Sequence, residues 1–239
     1  MVVAIIQGKK VSTGVKGKNL REIFGIPCVE YCFMAAEKAK LVDRVFASTN
    51  CPHIKEIAVR RNNEVIERPS KLCQPDSLTE DSMTYCLKEL DERGYNPEII
   101  VLMFANAPAI NIKLLDEGIQ FLKDNPEWDS AMSVGKYDMF SPARAKVVVD
   151  GAVQSFVDLK NIPTATSLRN SQGSCYFFDS TIQVLRRRCI ENIDNGPQPW
   201  KWVGHKVKAL VNDISTCDID EEWQWPIIEE NIRVLKERN

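Results

Sequence analysis

The sequence predicts an α/β protein built on a mainly parallel sheet with helices on both faces. Three observations carry this. Short apolar runs alternate with longer amphipathic stretches from residue 2 to residue 125, the rhythm of strand–helix units. Two of the runs, "VVAIIQ" (2–7) and "EIIVLMFA" (98–105), are apolar enough to be covered on both faces. With 239 residues, 44% of them hydrophobic, the chain can bury one large core.

The elements follow in order. "VVAIIQ" (2–7) is a strand, and "CVEYCFMAAEKAKLV" (28–42) a helix with Pro27 at its start. "RVFAST" (44–49) is a strand, "HIKEIAVRRN" (53–62) a helix and "EVIER" (64–68) a short strand. A helix over 79–94 has Thr79 as its N-cap and Gly94 as its stop. Strand 98–105 and helix 112–125 complete the alternation, with right-handed crossovers. The rhythm breaks after Asp129. "SAMSVGKY", "ARAKVVVD" and "AVQSFVD" read as strands without intervening helices, and 161–173 is polar and poorly patterned. "SCYFFD" returns as a strand, followed by a helix "STIQVLRRRCIEN". A strand "HKVKALVN" and a closing helix "EEWQWPIIEENIRVLKER" end the chain. The expected organisation is one domain over 1–239, with an antiparallel arm at about 138–175.

Composition excludes several classes. Net charge is −2, from 31 basic and 33 acidic residues, without the basic footprint of a nucleic-acid binder. No apolar run approaches the roughly 20 residues of a membrane span, and the N-terminus lacks the basic region of a signal peptide. The eight cysteines contain no C-x-x-C and read as free thiols, which fits a cytoplasmic protein.

The first loop, "GKKVSTGVKGKNL" (8–20), gathers three glycines and four lysines. It follows the first strand, so it lies at the carboxyl end of the sheet, where open α/β folds bind ligands. Glycines free backbone N–H groups to face phosphate oxygens. The spacing matches neither the P-loop nor the dinucleotide fingerprint. On composition alone, a polyphosphate cradle and a solvated turn remain open.

"IIQGKKVSTGVKGKNL" resembles the opening of the acylneuraminate cytidylyltransferases, the family of CMP-sialic acid synthetases with CMP-Kdo synthetases as cousins. Ser12, Gly14, Lys18, Asn19 and Leu20 fall on matching places, and Lys9 stands where the family has Arg. The resemblance continues in order along the chain. Ser48, Thr49, Arg68 and Pro69 match a strand end and an R-P segment. Gly173, Tyr176 and Phe178 match a late N-G-A-I-Y-x-F segment, and Asp218, Ile219, Asp220, Glu222 and Trp225 match S-I-D-I-D-T-E-E-D-W.

The resemblance implies a Rossmann-like nucleotidyltransferase sheet whose ribbon insertion serves dimerisation. It implies transfer of CMP from CTP to a sugar acid with release of pyrophosphate, aided by Mg²⁺. Lys18 would hold the α-phosphate, Lys9 the distal phosphates, and backbone around Ser12, Gly14 and Asn19 would complete the cradle; Arg68 would lie beside the cytosine. Asp218 and Asp220 would hold the metal, with Asp220 and Lys18 the catalytic pair. Alternate residues of an extended chain share a side, although an acidic start to the last helix also explains part of "DIDEE". The acceptor side departs from the family. In "MFANAPAI" (103–110), Asn106 stands where the Kdo enzymes carry a metal-binding Asp. Arg169 and Asn170 lie near the place of a sugar-acid Arg, and Tyr176 completes the expected acceptor set. The acceptor is left open among sialic acid-like and other 3-deoxy-2-ketoaldonic acids. Transfer from another nucleotide or to another small acid or phosphate, and a non-catalytic nucleotide-binding relative, stand as alternatives.

Overall fold

A computed structural model describes residues 1–239 apart from 12–13, 138–139, 169–170 and 239. Its centre is a seven-stranded sheet. The strands are β1 (Val2–Gly8), β4 (Arg44–Thr49), β5 (Glu64–Glu67), β6 (Ile99–Phe104), β7 (Ser130–Lys136), β10 (Tyr176–Arg186) and β11 (Val207–Val211). Their order is β11-β7-β10-β6-β1-β4-β5. All neighbours are parallel except β10, which runs antiparallel to both β6 and β7. Two small ribbons stand apart: β2 (Glu22–Ile23) with β3 (Ile26–Pro27), and β8 (Lys146–Val149) with β9 (Ala152–Ser155).

Strand β1 shows why the sheet is central. Val2, Ala4 and Ile6 point into one core, against α1 (Cys28–Lys38), α2 (Pro52–Arg60) and α4 (Ile112–Asp124). Val3 and Ile5 point into the opposite core, against α3 (Thr79–Glu92) and α5 (Arg187–Glu191). Each fully buried Val or Ile contributes about 1.5–3 kcal/mol, so a strand apolar at every position is stable only where both faces are covered. A third cluster lies under the closing helix α6 (Trp225–Arg238) and joins Val15 of the first loop to Ile219, Trp225 and Ile228.

Most expected elements are present, with three corrections. Helix α1 stops at Lys38, short of 42, because the Asp116 carboxylate accepts from the backbone N–H groups of Lys40 and Leu41 at 3.1 and 3.0 Å and draws the chain out of the helix. Thr79 is the first residue of α3, whose N-cap is Leu78 without a side-chain bond. The largest correction is the helix expected over 180–192. Residues up to Arg186 continue β10, and only Arg187–Glu191 are helical. Thr181, Ile182, Gln183, Val184 and Leu185 are each at most 2% exposed. A surface helix buries one stripe, whereas a central strand buries both faces. Ser180, with φ +63°, marks the register shift that lets this strand bend between Phe178 and Gln183. No helix among the described residues is long and apolar enough to cross a membrane.

Candidate active site

Strands β1, β5 and β6 end on the same side of the sheet, and the segments leaving them form a cleft of about 210 Å³. Its wall includes Gly8, Lys9, Lys18, Asn19, Arg68, Thr79, Phe104 and Asn106. The cationic side is held rigidly. The buried Arg68 guanidinium donates through Nε to Ser48 Oγ at 3.2 Å and through Nη2 to Ser48 O at 3.0 Å. Burial pulls its pKa below the usual guanidinium value. The Lys9 ammonium donates to the carbonyls of Gln74 at 2.8 Å and Ser77 at 3.3 Å, tying the 70–78 segment to the end of β1. An ammonium has three donors, so one remains for a ligand. Burial, then the Arg68 charge, lowers the Lys9 pKa.

The first loop is shaped by two contacts. Asn19 Nδ2 donates to the Lys9 carbonyl at 3.1 Å, so its amide braces the loop from inside. Gly14 lies against the acidic segment: a Cβ there would stand 2.4 Å from the Asp220 carbonyl oxygen. Only a residue without a side chain permits this approach. The same approach brings Lys18 Nζ to 2.5 Å from Asp220 Oδ1.

The two acids are positioned by the residue between them. Ile219 is fully buried in the core under α6. Its N–H donates to the Asn106 carbonyl at 2.8 Å, and Asn106 Nδ2 donates back to the Ile219 carbonyl at 3.0 Å. This clasp leaves Asp218 beside Asn106, whose Nδ2 lies 3.4 Å from Asp218 Oδ2, and Asp220 beside Lys18. Burial, then the Asp220 charge, raises the Asp218 pKa. Among the described residues no cluster of three or more His, Cys, Asp or Glu exists. Two neighbouring carboxylates are nonetheless a donor set that a hard, partly hydrated divalent cation accepts.

A second cleft of about 480 Å³ opens beside the first and shares Thr79, Phe104 and Asn106 with it. Met132, Phe178, Ser180, Gln183, Trp200, Trp202 and Asp218 complete its wall.

Of the residues expected from sequence, Lys9, Lys18, Asn19, Arg68 and Asn106 line the first cleft, and Gly14, Asp218 and Asp220 abut it. Asn106 acts chiefly as the clasp on Ile219. Tyr176, 46% exposed at the start of β10, lines neither cleft. Ser12, Arg169 and Asn170 lie outside the described residues. Sequence reasoning missed Thr79 as a lining residue, and also Gln183, Trp200 and Trp202. Two tryptophans within "PQPWKWVG" (197–204) were the available signal. None of the eight cysteines forms a disulfide, and burial pushes Cys28 up to about 12 and Cys86 up to about 11, so neither supplies a thiolate nucleophile.

The sequence profile of the cytidylyltransferase family matches residues 3–194. An N-acylneuraminate cytidylyltransferase A of Danio rerio is 22% identical over 231 residues, covering 97% of this chain and 50% of that protein. A 3-deoxy-manno-octulosonate cytidylyltransferase of Geobacter sulfurreducens is 31% identical over 157 residues, 62% of this chain and 58% of that protein. The chain thus spans about half the length of these relatives. A CMP:2-keto-3-deoxy-manno-octonic acid synthetase solved with CTP superposes with a TM-score of 0.67 at 16% identity, over 99% of this chain and 98% of that one. At that identity the likeness speaks for the fold. The family match covers most of the chain in one piece, and on it the chain belongs to the cytidylyltransferase family.

Proposed function

We propose that this protein transfers CMP from CTP to a hydroxyl of a sugar acid and releases pyrophosphate. The observation that carries the reading is the meeting of Lys9, Lys18 and Arg68 in one cleft at the carboxyl ends of β1, β5 and β6, with Asp220 paired to Lys18 and Asp218 beside Asn106 at its edge. A triphosphate carries roughly four negative charges, and a cleft lined by fixed cations reverses the sign of an acidic protein locally. Arg68, locked on Ser48, forms the deep wall for the base. Lys18 faces the α-phosphate, and the remaining donor of Lys9 faces the distal phosphates. The acceptor oxygen forms its bond to the α-phosphorus while the bond from that phosphorus to the bridging oxygen of pyrophosphate breaks; the hydroxyl proton passes to solvent.

Asp218 and Asp220 would hold Mg²⁺, which would supply positive charge to the reacting phosphate and the leaving pyrophosphate. Binding of the charged substrate exchanges the internal Lys18–Asp220 pair for two new ones. The second cleft receives the acceptor. The arm bears exposed Phe140, Val148, Val153, Phe156 and Leu168, an apolar surface that suits a second copy of the chain, and we assign it to a homodimer contact. Cysteines without disulfides fit a reducing compartment.

Pyrophosphate release measured with each of four nucleoside triphosphates and a panel of 3-deoxy-2-ketoaldonic acids tests the reading. Release is expected with CTP. CTP binding without release from any acid would mark a nucleotide-binding relative, and release from another triphosphate would change the donor.

A further inference from the structure

Away from both clefts, helices α1 and α6 and the start of α4 enclose a slot of about 190 Å³. Met34, Ala35, Ile110, Ile112, Ile232 and Leu235 make its walls apolar. Among the described residues its charged lining groups are Lys38 and Lys236, and no acid lines it. Lys236 is held in place. Its Nζ lies 5.0 Å from the Phe24 ring centroid and 5.7 Å from that of Tyr31, within reach of cation–π attraction. Phe24 stands at the tip of the β2–β3 ribbon with φ +51° and is 56% exposed. A bulky side chain is uncommon in that left-handed region, and this one spends its ring on Lys236 rather than on the core.

The slot adjoins a hollow of about 350 Å³, with Lys38 and Ile112 lining both. Lys40, Lys113, Asp116 and Arg238 complete the hollow. Its acid is already engaged, because the Asp116 carboxylate accepts from the backbone N–H groups of Lys40 and Leu41. Arg238 pairs with Asp213 at 2.6 Å. The Lys40 and Lys113 ammonium groups have no hydrogen-bond or ion-pair partner among the described residues.

Apolar walls ending in unpaired lysines complement one kind of molecule. A bare anion would leave the walls uncovered, and a neutral chain would leave the lysines without counter-charge. A carbon chain with an anionic head satisfies both, its tail leaving water for the walls and its head accepting from ammonium donors. The slot is a recess between helices, which admits a single chain and not the face of a bilayer. We infer that it binds a single-chain anionic amphiphile, with the tail between α1 and α6 and a carboxylate or phosphate-monoester head beside Lys40 and Lys113. Ile232 and Leu235 share a packed cluster with Ile219, so an occupant also steadies the helix that covers the acidic segment. Binding needs neither CTP nor turnover and stands apart from the transfer reaction.

Calorimetric titration of the full chain with octanoate, octyl phosphate, 1-octanol and inorganic phosphate tests this. At least one octyl anion is expected to bind about tenfold or more tightly than octanol, which lacks the charge, and than phosphate, which lacks the chain. The tighter of the two anions identifies the head. It should also raise the thermal midpoint, because it binds the folded chain. Met34→Glu places a like charge in the slot, and Lys40→Glu with Lys113→Glu reverses the charge of the hollow; each should weaken the anion about tenfold. All three side chains are exposed. A thermal midpoint unchanged without ligand shows each variant folded, and should one lower it, the other is judged alone. Octanol or phosphate binding as tightly as the anions overturns the inference, as does binding that survives the charge changes, or no binding at all. So does a change of oligomeric state in Met34→Glu by light scattering, which would show a second copy covering the slot.

Discussion

The two clefts share a rim and little else. The cationic cleft draws much of its charge from one short loop after β1 plus Arg68 after β5. The aromatic cleft is assembled from residues 79, 104, 106, 132, 178, 180, 183, 200, 202 and 218, which meet only through the fold. On the proposed reading, the shared nucleotide would be met by a local loop, and the acceptor, which differs between relatives, by side chains on widely separated segments, each free to change alone.

Substitutions can break this comparison, and the largest effect belongs to the acids. Asp220→Asn is expected to lower turnover at least a hundredfold, about 2.7 kcal/mol, while CTP affinity changes little, because on the proposed reading the metal it would hold would serve the reacting phosphate. Single-turnover rates beside calorimetric CTP binding check this; a rate within about threefold of wild type, ~0.7 kcal/mol, removes Asp220 from the chemistry. Next comes Lys18→Ala, expected to cost about tenfold to a hundredfold in kcat and less in KM for CTP, since on the proposed reading its contact would tighten as charge moves to pyrophosphate. Lys16, exposed and outside both clefts, is the control, and Lys16→Ala should stay near wild type. Equal behaviour of the two lysines would make the loop a diffuse basic surface.

A smaller effect is expected from Gly14→Ala. The added Cβ must displace the Asp220 carbonyl, an overpacking cost of about 1–3 kcal/mol, read as a lower thermal midpoint together with a raised metal requirement. A lower midpoint without the second change would leave Gly14 as packing alone. The smallest effect on chemistry concerns the arm. Light scattering at micromolar concentration should give twice the 27.1 kDa chain mass, and Phe156→Glu should shift it toward one; a monodisperse monomer in the unmodified protein refutes the dimer.

The same contrast governs what was legible in the sequence. Strand 44–49 matches its expected bounds, and 2–7 and 98–105 fall within a residue or so, because unbroken apolar runs between turns leave few other readings. The first loop was legible because glycines and lysines after a strand have a local meaning. "STIQVLR" (180–186) was not. Its apolar residues suit a helix as readily as a strand, and the sheet neighbours that decide the matter, β6 and β7, lie far away in sequence. Asn106 reads as a substrate or metal contact from its place in the motif and lines both clefts, but its bonds to Ile219 were not legible. No local pattern announces a bond across 113 positions.

That bond also sets a timetable. During synthesis the lysine-rich loop, β4 and β6 emerge first, and Asn106 must wait for Ile219 before the clasp can close. Lys18 waits longer still, since Asp220 follows it by 202 residues. Closing so long a loop costs entropy that only the docking of α6 over Ile219 and Trp225 offsets. A nascent chain therefore carries the cationic side of the cleft well before the two carboxylates that come to lie beside it.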